Sequence, residues 1–208
     1  EENVMANHVS SHFRHKGLNP TAQKVWDEYV VGKLDEAVER MSERKEEESW
    51  RFHEVHLGNY LFEEKDGEFV NWDFNQMCEE IGAKWAYATE WGEDYVNVYS
   101  AWSPVVEWCE MVAKAVGEAD SEAEFILTYE DEMPNFVGVA SFTKYGIDDQ
   151  SEIDYDEIRD KCIRDHSELA EMWDEDAEDW QEDKEDEANE LLWELQHDVI
   201  HEWQEGAV

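Results

Sequence analysis

Basic residues are scarce in this chain. Lys and Arg number 16 against 56 Asp and Glu, which gives a formal net charge of −40 over 208 residues. A surface this anionic repels the phosphates of nucleic acid and the headgroups of anionic lipid. We therefore expect no direct binding to nucleic acid or to a membrane, and the charge favours a basic protein as the partner.

Cysteines and long apolar runs are also few. The 3 cysteines, Cys78, Cys109 and Cys162, are widely spaced and form no CxxC pair, so we expect reduced thiols in a cytoplasm. The longest apolar runs fall well short of the ~20 residues that a membrane-spanning helix needs. No charged-then-apolar leader is evident, and the sequence therefore predicts a cytoplasmic location.

Signature motifs of catalysis and of metal binding are missing as well. The sequence has no glycine-rich phosphate loop, GxSxG, HExxH or cysteine-nucleophile signature. Paired carboxylates occur throughout, so they do not indicate general acid–base chemistry. We expect no enzyme activity and no cofactor.

Histidines in the first sixty residues raise the question of zinc. Only His8 and His12 share a face of a predicted strand, and no cysteine lies at ligand spacing, so we expect no metal site. The cluster Glu130-Asp131-Glu132 lacks the Asp/Gly loop pattern of a calcium site, and we interpret it as an exposed turn.

Aromatic residues, in contrast, are plentiful, at 13% with 11 Trp. Disordered acidic chains lack such residues, so we expect a folded body. Alternating residues from His8 to Lys16 predict a strand. Asn19-Pro20 then has the form of a helix N-cap followed by the first helical residue, and apolar spacing predicts a helix from Pro20 into the forties.

The middle of the chain predicts two β-hairpins with a helix between them. The first hairpin covers 84–91 and 95–102, the helix starts at Ser103-Pro104 and ends at Gly117, and the second hairpin covers 124–129 and 135–144. Residues 51–62 are expected to be extended, and 72–81 a short helix. This order predicts an α+β fold over residues 5–146, a ferredoxin-like βαββαβ sheet with an added edge strand.

The last part of the chain has a different character. From Ser151 to Val208 there are 23 acids and 4 bases, with no Gly or Pro before Gly206. Apolar residues recur in steps of three and four, which predicts a long acidic amphipathic helix over 150–205, one helix or two in line with a weak point at 181–187. A homodimer seam along its apolar end, Leu191, Leu192, Leu195, Val199 and Trp203, is one use for that surface.

The middle segment resembles the YubB-like proteins of plasmids and bacteriophages. Asn71-Trp72, Ala83-Lys84-Trp85 and Ser100–Pro104 are similar to that family's NW, TKW and TAWSPP run, and MANH at Met5–His8 resembles its opening. The resemblance covers roughly residues 5–146 and departs from the family at Ala83, where Thr is usual, and at Val105, where a second Pro is usual. The acidic segment has no counterpart.

This resemblance implies a ferredoxin-like domain and a mobile-element setting inside a bacterial host, which favours host takeover or anti-defence work. It implies no activity. The family-like motif residues are Trp72, Lys84, Trp85, Trp102, Ser103 and Pro104. Lys84, Trp85 and Trp102 have two interpretations, packing within the hairpin or a recognition surface on the sheet.

The strongest concentration of charge lies at residues 171–190, where twelve acids stand against one base, Lys184. Like-charge repulsion opposes folding, so stability does not explain it. A solvated helix face, halophilic adaptation and mimicry of a nucleic-acid backbone are the three explanations. Halophilic adaptation would spread the acids evenly. A helix would present roughly one net charge per 2.7 Å, against about 1.7 Å for duplex DNA.

The sequence therefore predicts an antirestriction-type inhibitor that mimics DNA charge and occupies the basic cleft of a host nucleic-acid-binding defence protein. The expected phosphate surrogates are Glu171, Asp174, Asp176, Asp179, Asp183 and Asp186. Trp173 and Trp180 are either anchors into the body of the protein or hot spots for the partner. The alternative function is a non-mimic interaction or regulatory module, whose acidic surface serves solubility.

Overall fold

A seven-stranded antiparallel sheet forms the centre of a mixed α+β fold. The computed structural model describes residues 7–43, 54–133, 135–174 and 177–206. The strands in chain order are β1 (His8–His15), β2 (Val55–His56), β3 (Glu64–Lys65), β4 (Glu68–Phe69), β5 (Ala86–Trp91), β6 (Tyr95–Ala101), β7 (Phe125–Asp131), β8 (Phe136–Thr143), β9 (Gly146–Asp154), β10 (Trp173–Asp174) and β11 (Asp179–Trp180).

The sheet order is β2-β5-β6-β1-β7-β8-β9, and β3–β4 and β10–β11 form two small separate hairpins. The helices are α1 (Pro20–Trp26), α2 (Gly32–Glu43), α3 (Phe74–Glu80), α4 (Val106–Gly117), α5 (Tyr155–Asp165), α6 (Ser167–Met172) and α7 (Glu185–Gly206). A π-helical segment, Asp27–Val31, joins α1 to α2, and a 3₁₀ turn, Leu57–Tyr60, follows β2.

The period-two pattern of β1 sends every second side chain into the main core, where Val9 and Phe13 are fully buried. Phe13 lies at the centre of an aromatic cluster, with four ring centroids 5.7–6.1 Å from its own. Those rings belong to Trp26, Trp108, Phe125 and Phe142. Helices α1 and α4 therefore cover this face of the sheet, which we call the core face.

Helix α1 begins as predicted from the sequence. The Asn19 side chain accepts hydrogen bonds from the backbone N–H groups of Thr21 and Ala22, and Pro20 is the first helical residue. The predicted start of α4 at Ser103-Pro104 is wrong. The helix begins at Val106, and the Ser103 hydroxyl donates to the Gly82 carbonyl at 2.6 Å, so it ties two turns together rather than capping a helix.

Both predicted hairpins are confirmed, since β5 pairs with β6 and β7 with β8. The short helix before Gly82 is also confirmed as α3, and Gly82 has the left-handed φ of +96° that favours glycine at a helix end. Of the segment expected to be extended, residues 51–53 lie outside the described residues. In the remainder only Val55–His56 is a strand and Leu57–Tyr60 is a 3₁₀ turn, so the expectation is wrong for most of the segment.

The long acidic helix predicted over 150–205 is wrong. Strand β9 runs on to Asp154, whose side chain then caps α5 by accepting from the Glu157 N–H. His166 is extended and separates α5 from α6, and the hairpin β10–β11 follows. Helix α7 begins at Glu185, inside the predicted weak point.

The apolar residues of this segment form a second, smaller core instead of a single stripe. Seven of them pack around Val137 of β8: Ile158, Cys162, Leu169, Met172, Trp180, Ala188 and Leu192. Val137 pairs with Ile153 of β9, on the side of the sheet opposite the core face. The C-terminal elements therefore pack on the sheet.

No helix among residues 7–43, 54–133, 135–174 and 177–206 is long and apolar enough to cross a membrane.

Candidate acidic interface

The carboxylates predicted as phosphate surrogates lie around the hairpin β10–β11 and the turn into α7. We call residues 171–187 the acidic hairpin. Each of its acids that the structure describes is exposed: Glu171, Asp174, Glu178, Asp179, Glu182, Asp183, Glu185, Asp186 and Glu187. Asp176 lies outside the described residues. The other five predicted surrogates are therefore on the surface, although they are not arranged along one helix face.

The two tryptophans of the acidic hairpin face each other across its strands. Trp173 pairs with Trp180, and their ring centroids are 5.0 Å apart in an edge-to-face arrangement. Trp180 is only 6% exposed, and its indole N–H donates to the Tyr155 hydroxyl at 2.8 Å. The Arg159 guanidinium lies 4.6 Å from the centroid of the Trp173 ring. Both rings thus anchor the hairpin to α5, which favours the anchor interpretation.

The backbone of the acidic hairpin is tied at both ends. The Gln181 N–H donates to the Met172 carbonyl at 3.0 Å, and its side chain donates to the Glu171 carbonyl at 2.8 Å. At the tip, the Asp174 carboxylate accepts from the Ala177 N–H, and Glu178 has a left-handed φ of +53°. Hydrogen bonds therefore hold the described residues on both sides of the turn.

One pair of carboxylates in this hairpin opposes folding. Asp174 and Asp179 lie directly opposite each other on the two strands. Like charges at such positions are destabilising, by an amount comparable to a cross-strand contact. The neighbouring tryptophan pair offsets that cost. The hairpin accordingly keeps an electrostatic conflict that solvation of a surface does not require.

Two basic residues in or beside the acidic hairpin pair with carboxylates. Lys184, within the hairpin, donates to Glu187 at 2.6 Å, and this hydrogen bond raises the pKa of Lys184. Arg159 of α5 donates to Asp156 at 2.7 Å and to Asp160 at 2.8 Å, outside the hairpin. Lys184 is the one base against the described acids of the hairpin, which therefore remains strongly anionic.

Some of the family-like residues make structural contacts, and others lie on the surface. Ser103 and Ser100 close the turn after β6, where the Ser100 hydroxyl donates to the Ser103 carbonyl at 2.7 Å. Trp102 in that turn has a φ of +65° and is half exposed, with the Lys84 ammonium 5.1 Å from its ring centroid.

The remaining family-like residues lie at other places in the fold. Trp85 lies beside His8. Pro104 precedes α4 without forming its first turn. Trp72 belongs to a different aromatic cluster, next to Phe69.

The histidines make structural contacts. His56 Nδ1 accepts from the Gly58 N–H at 2.9 Å, and burial lowers the pKa of His56 to about 4. Nδ1 of His12 lies 2.6 Å from the Asn97 side-chain oxygen, and His15 lies 3.0 Å from the Glu93 carbonyl. Within the described ranges, no group of three or more His, Cys, Asp or Glu residues is placed to hold a metal ion.

The interpretation of Glu130-Asp131-Glu132 as an exposed turn is wrong for Glu130 and Asp131, which belong to β7 and are not exposed. Asp131 is 2% exposed and accepts from the Met133 N–H and the Asn135 side chain, and burial raises its pKa. Gln196 of α7, also buried, donates to Glu130 and to the Asp131 carbonyl. This cluster therefore docks α7 onto the sheet, a role that spacing along the sequence could not reveal.

The leucines proposed for a dimer seam have partners within the chain. Leu192 is fully buried in the second core, and Leu191 and Leu195 are half-buried against it. The side chains of Val199 and Trp203 lie outside the described part of α7. The apolar face is thus used for intramolecular packing over the first half of α7.

Trp180→Phe is expected to lower the free energy of unfolding by about 1–2 kcal/mol, because it removes the hydrogen bond to Tyr155 and leaves a small cavity. Urea denaturation would measure this. Trp193→Phe is the matched control, since Trp193 is 39% exposed and should tolerate the change within about 0.5 kcal/mol. Equal losses in the two variants would contradict the anchor role of Trp180.

Comparisons with family models, with curated proteins and with solved structures found no match to this chain.

Proposed function

We propose that this protein binds and inhibits a host DNA-binding protein, of a restriction, nuclease or other defence type, by offering the acidic hairpin in place of DNA phosphates. One observation carries this proposal: on the same short hairpin, the described carboxylates face solvent while Trp180 faces the protein. Such an arrangement presents a dense anionic surface on an ordered support. The role is one of binding, without catalysis.

Carboxylates resemble phosphates in the features that a basic cleft recognises. A carboxylate is planar and a phosphate is tetrahedral, but both present acceptor oxygens. Arginine binds either of them through two parallel hydrogen bonds. Strands already held by contacts of Trp173, Trp180 and Gln181 lose little conformational entropy on binding. The net charge of −40 would also accelerate encounter with a basic partner at low salt.

The acidic residues lie on a hairpin and not on one straight helix, which changes how they would imitate DNA phosphates. A straight helix would have matched the linear charge spacing of duplex DNA, whereas a hairpin followed by a helix start concentrates its acids around one turn. We propose that it fills the part of a DNA channel that grips a few neighbouring phosphates.

We further propose that the sheet is built on a ferredoxin-like βαββαβ unit, and that the chain is a YubB-like protein of a plasmid or bacteriophage, acting in the cytoplasm of a bacterial host. The neighbour order β5-β6-β1-β7, with helices after β1 and after β6, supports the first part. Strands β8 and β9 extend one edge and β2 extends the other. The motif around Trp102 supports the second part.

Reversing charge on the acidic hairpin tests the inhibitor proposal. The variant carries Asp174→Lys, Asp179→Lys, Asp183→Lys and Asp186→Lys. The native protein, immobilised and exposed to bacterial lysate, should retain DNA-binding enzymes at low salt and release them at high salt or on addition of duplex DNA. For a purified captured enzyme, the variant should bind at least about 100-fold more weakly, since several desolvated charge pairs are lost.

A matched control separates this surface from total charge. Glu36→Lys, Glu79→Lys, Glu93→Lys and Glu118→Lys change the net charge equally at other exposed positions. This control should retain most of the affinity. Equal loss in both variants would show that the acidic hairpin is not the interface.

The second candidate is the non-mimic interaction module, which the exposed aromatic residues Trp72 and Phe74 favour. The salt dependence of binding distinguishes the two functions. A DNA mimic should lose affinity steeply with rising salt, whereas apolar docking should show a shallow dependence.

A further inference from the structure

Three large apolar side chains lie exposed within five residues of one another, between β4 and the start of α3. Val70 is 38% exposed, Trp72 42% and Phe74 48%. Scattered apolar residues are normal on a protein surface, but a contiguous group marks an interaction site. We call these three residues the apolar patch.

The apolar patch is held by ordered structure. Trp72 packs against three rings whose centroids lie 5.2–5.5 Å from its own: Phe62, His56 and Phe69. Gly58 lies directly beneath, because a Cβ there would come within 3.1 Å of the rings of both Phe69 and Trp72. The Trp72 indole is therefore supported from below while its other side is open.

Two residues of this segment have left-handed backbone conformations. Asp66 and Asn71 have φ values of 55° and 58°. Asp and Asn adopt this region more readily than other residues with a side chain, so both conformations are ordinary turn geometry. Asp66 lies at the tip of the β3–β4 hairpin, and Asn71 immediately precedes Trp72.

Acidic residues flank the apolar patch along the chain. Between positions 63 and 73 the chain has five acids and one base, Lys65. The acids are Glu63, Glu64, Asp66, Glu68 and Asp73. Glu64 is the one half-buried acid of the five, 3.9 Å from Arg40, and the other four are exposed. An apolar centre with a charged rim has the anatomy of a protein–protein interface.

We propose that the apolar patch is a docking surface for a basic protein segment, which packs an apolar side chain on Trp72 and Phe74 and sets lysines or arginines against the acidic rim. Charge selects this occupant. A second copy of the chain would bring two bodies of net charge −40 together, and an acidic partner would meet the same repulsion. The inference is independent of DNA mimicry, because it concerns a different surface and a different kind of contact.

Synthetic peptides of equal length test the proposal by calorimetric titration. One alternates lysine with leucine, one lysine with serine, and one glutamate with leucine. The lysine–leucine peptide should bind about tenfold more tightly than the lysine–serine peptide, since an apolar anchor contributes beyond charge. The Trp72 indole N–H resonance, assigned with Trp72→Phe, should shift on binding.

The variant Val70→Ser with Phe74→Ser should abolish the advantage of the lysine–leucine peptide while leaving the weaker binding of the lysine–serine peptide unchanged. It retains Trp72 and the rings beneath, so near-ultraviolet circular dichroism should match the native protein. Tyr145→Ser is the matched control, because Tyr145 is 82% exposed on another turn, and it should keep the full advantage.

Three results would overturn the proposal. The first is equal affinity of the lysine–leucine and lysine–serine peptides for the native protein. The second is equally tight binding of the glutamate–leucine peptide. The third is a dimer in sedimentation velocity that the Val70→Ser, Phe74→Ser variant abolishes, which would assign the patch to a second copy of this chain.

Discussion

Gly138→Ala is expected to destabilise the protein by about 3 kcal/mol, at the upper end of the usual cost of overpacking a core. Gly138 of β8 lies directly opposite Tyr129 of β7. A Cβ at position 138 would overlap the Tyr129 ring. That ring is 1% exposed and cannot move aside within the core. Thermal or urea unfolding would measure the effect.

The Tyr129 hydroxyl adds to this cost because it ties β7 to β9. It donates to the Glu152 carboxylate at 2.8 Å and accepts from the Gln150 amide at 3.2 Å, and burial raises the pKa of Tyr129. Displacing the ring would break both hydrogen bonds and weaken the link between β7 and β9.

A double-mutant cycle provides the control. In a Tyr129→Ala background the added methyl group meets no ring, so Gly138→Ala should then cost less than about 1 kcal/mol. Additive losses would mean that strain in the β8 backbone, and not overlap with Tyr129, sets the cost.

Removing the imidazole of His56 is expected to weaken the dependence of stability on pH between about 6.5 and 4. Burial lowers the pKa of His56 from 6.5 to about 4. Between these values the unfolded chain binds a proton that the folded protein excludes. The contribution of neutral His56 to the free energy of unfolding is therefore complete above the unfolded pKa and is lost as the pH falls through the folded pKa. The full effect amounts to roughly 3 kcal/mol.

His56→Asn is the informative variant. The asparagine oxygen can accept from the Gly58 N–H as Nδ1 of His56 does, at 2.9 Å in the native protein, but it does not titrate. Urea unfolding at several pH values should show the native protein losing roughly 3 kcal/mol relative to the variant on acidification. The carboxylates titrate in both proteins, so their shared contribution cancels in the difference. Parallel stability curves would contradict the burial of a neutral His56.

Local signals predicted the first two-thirds of the fold well. The relevant signals act over a few positions: the alternation of β1, the Asn19 cap and the residues of the two hairpins. The strand, the cap and both hairpin pairings formed as these signals predicted. Two regions were exceptions. The segment expected to be extended contains the 3₁₀ turn Leu57–Tyr60, and before α4 Ser103 forms a hydrogen bond to Gly82 across 21 residues instead of capping the helix. The same serine hydroxyl can cap a helix or donate a hydrogen bond to a distant residue, and the spacing of residues along the sequence does not distinguish these roles.

The C-terminal prediction failed for a related reason. Trp173 and Trp180 are seven residues apart, which is two helical turns, but they are also cross-strand partners in a hairpin. Short helices and a turn that pack on one core can also place apolar residues three and four positions apart. Arg159 and Tyr155, which hold this hairpin, were missed because their contacts are made only after the chain folds back.

By itself, the sequence determined the net charge of −40, its concentration near the C-terminus, and a body with enough aromatic residues to fold. These are sums and local periods, and they do not depend on how distant segments meet. Only the tertiary structure decided that Trp180 faces inward, that the surrounding acids line a hairpin, and that Val70, Trp72 and Phe74 stay uncovered. Burial depends on contacts between residues far apart in the chain, and a sequence pattern specifies one face of an element without specifying what covers it.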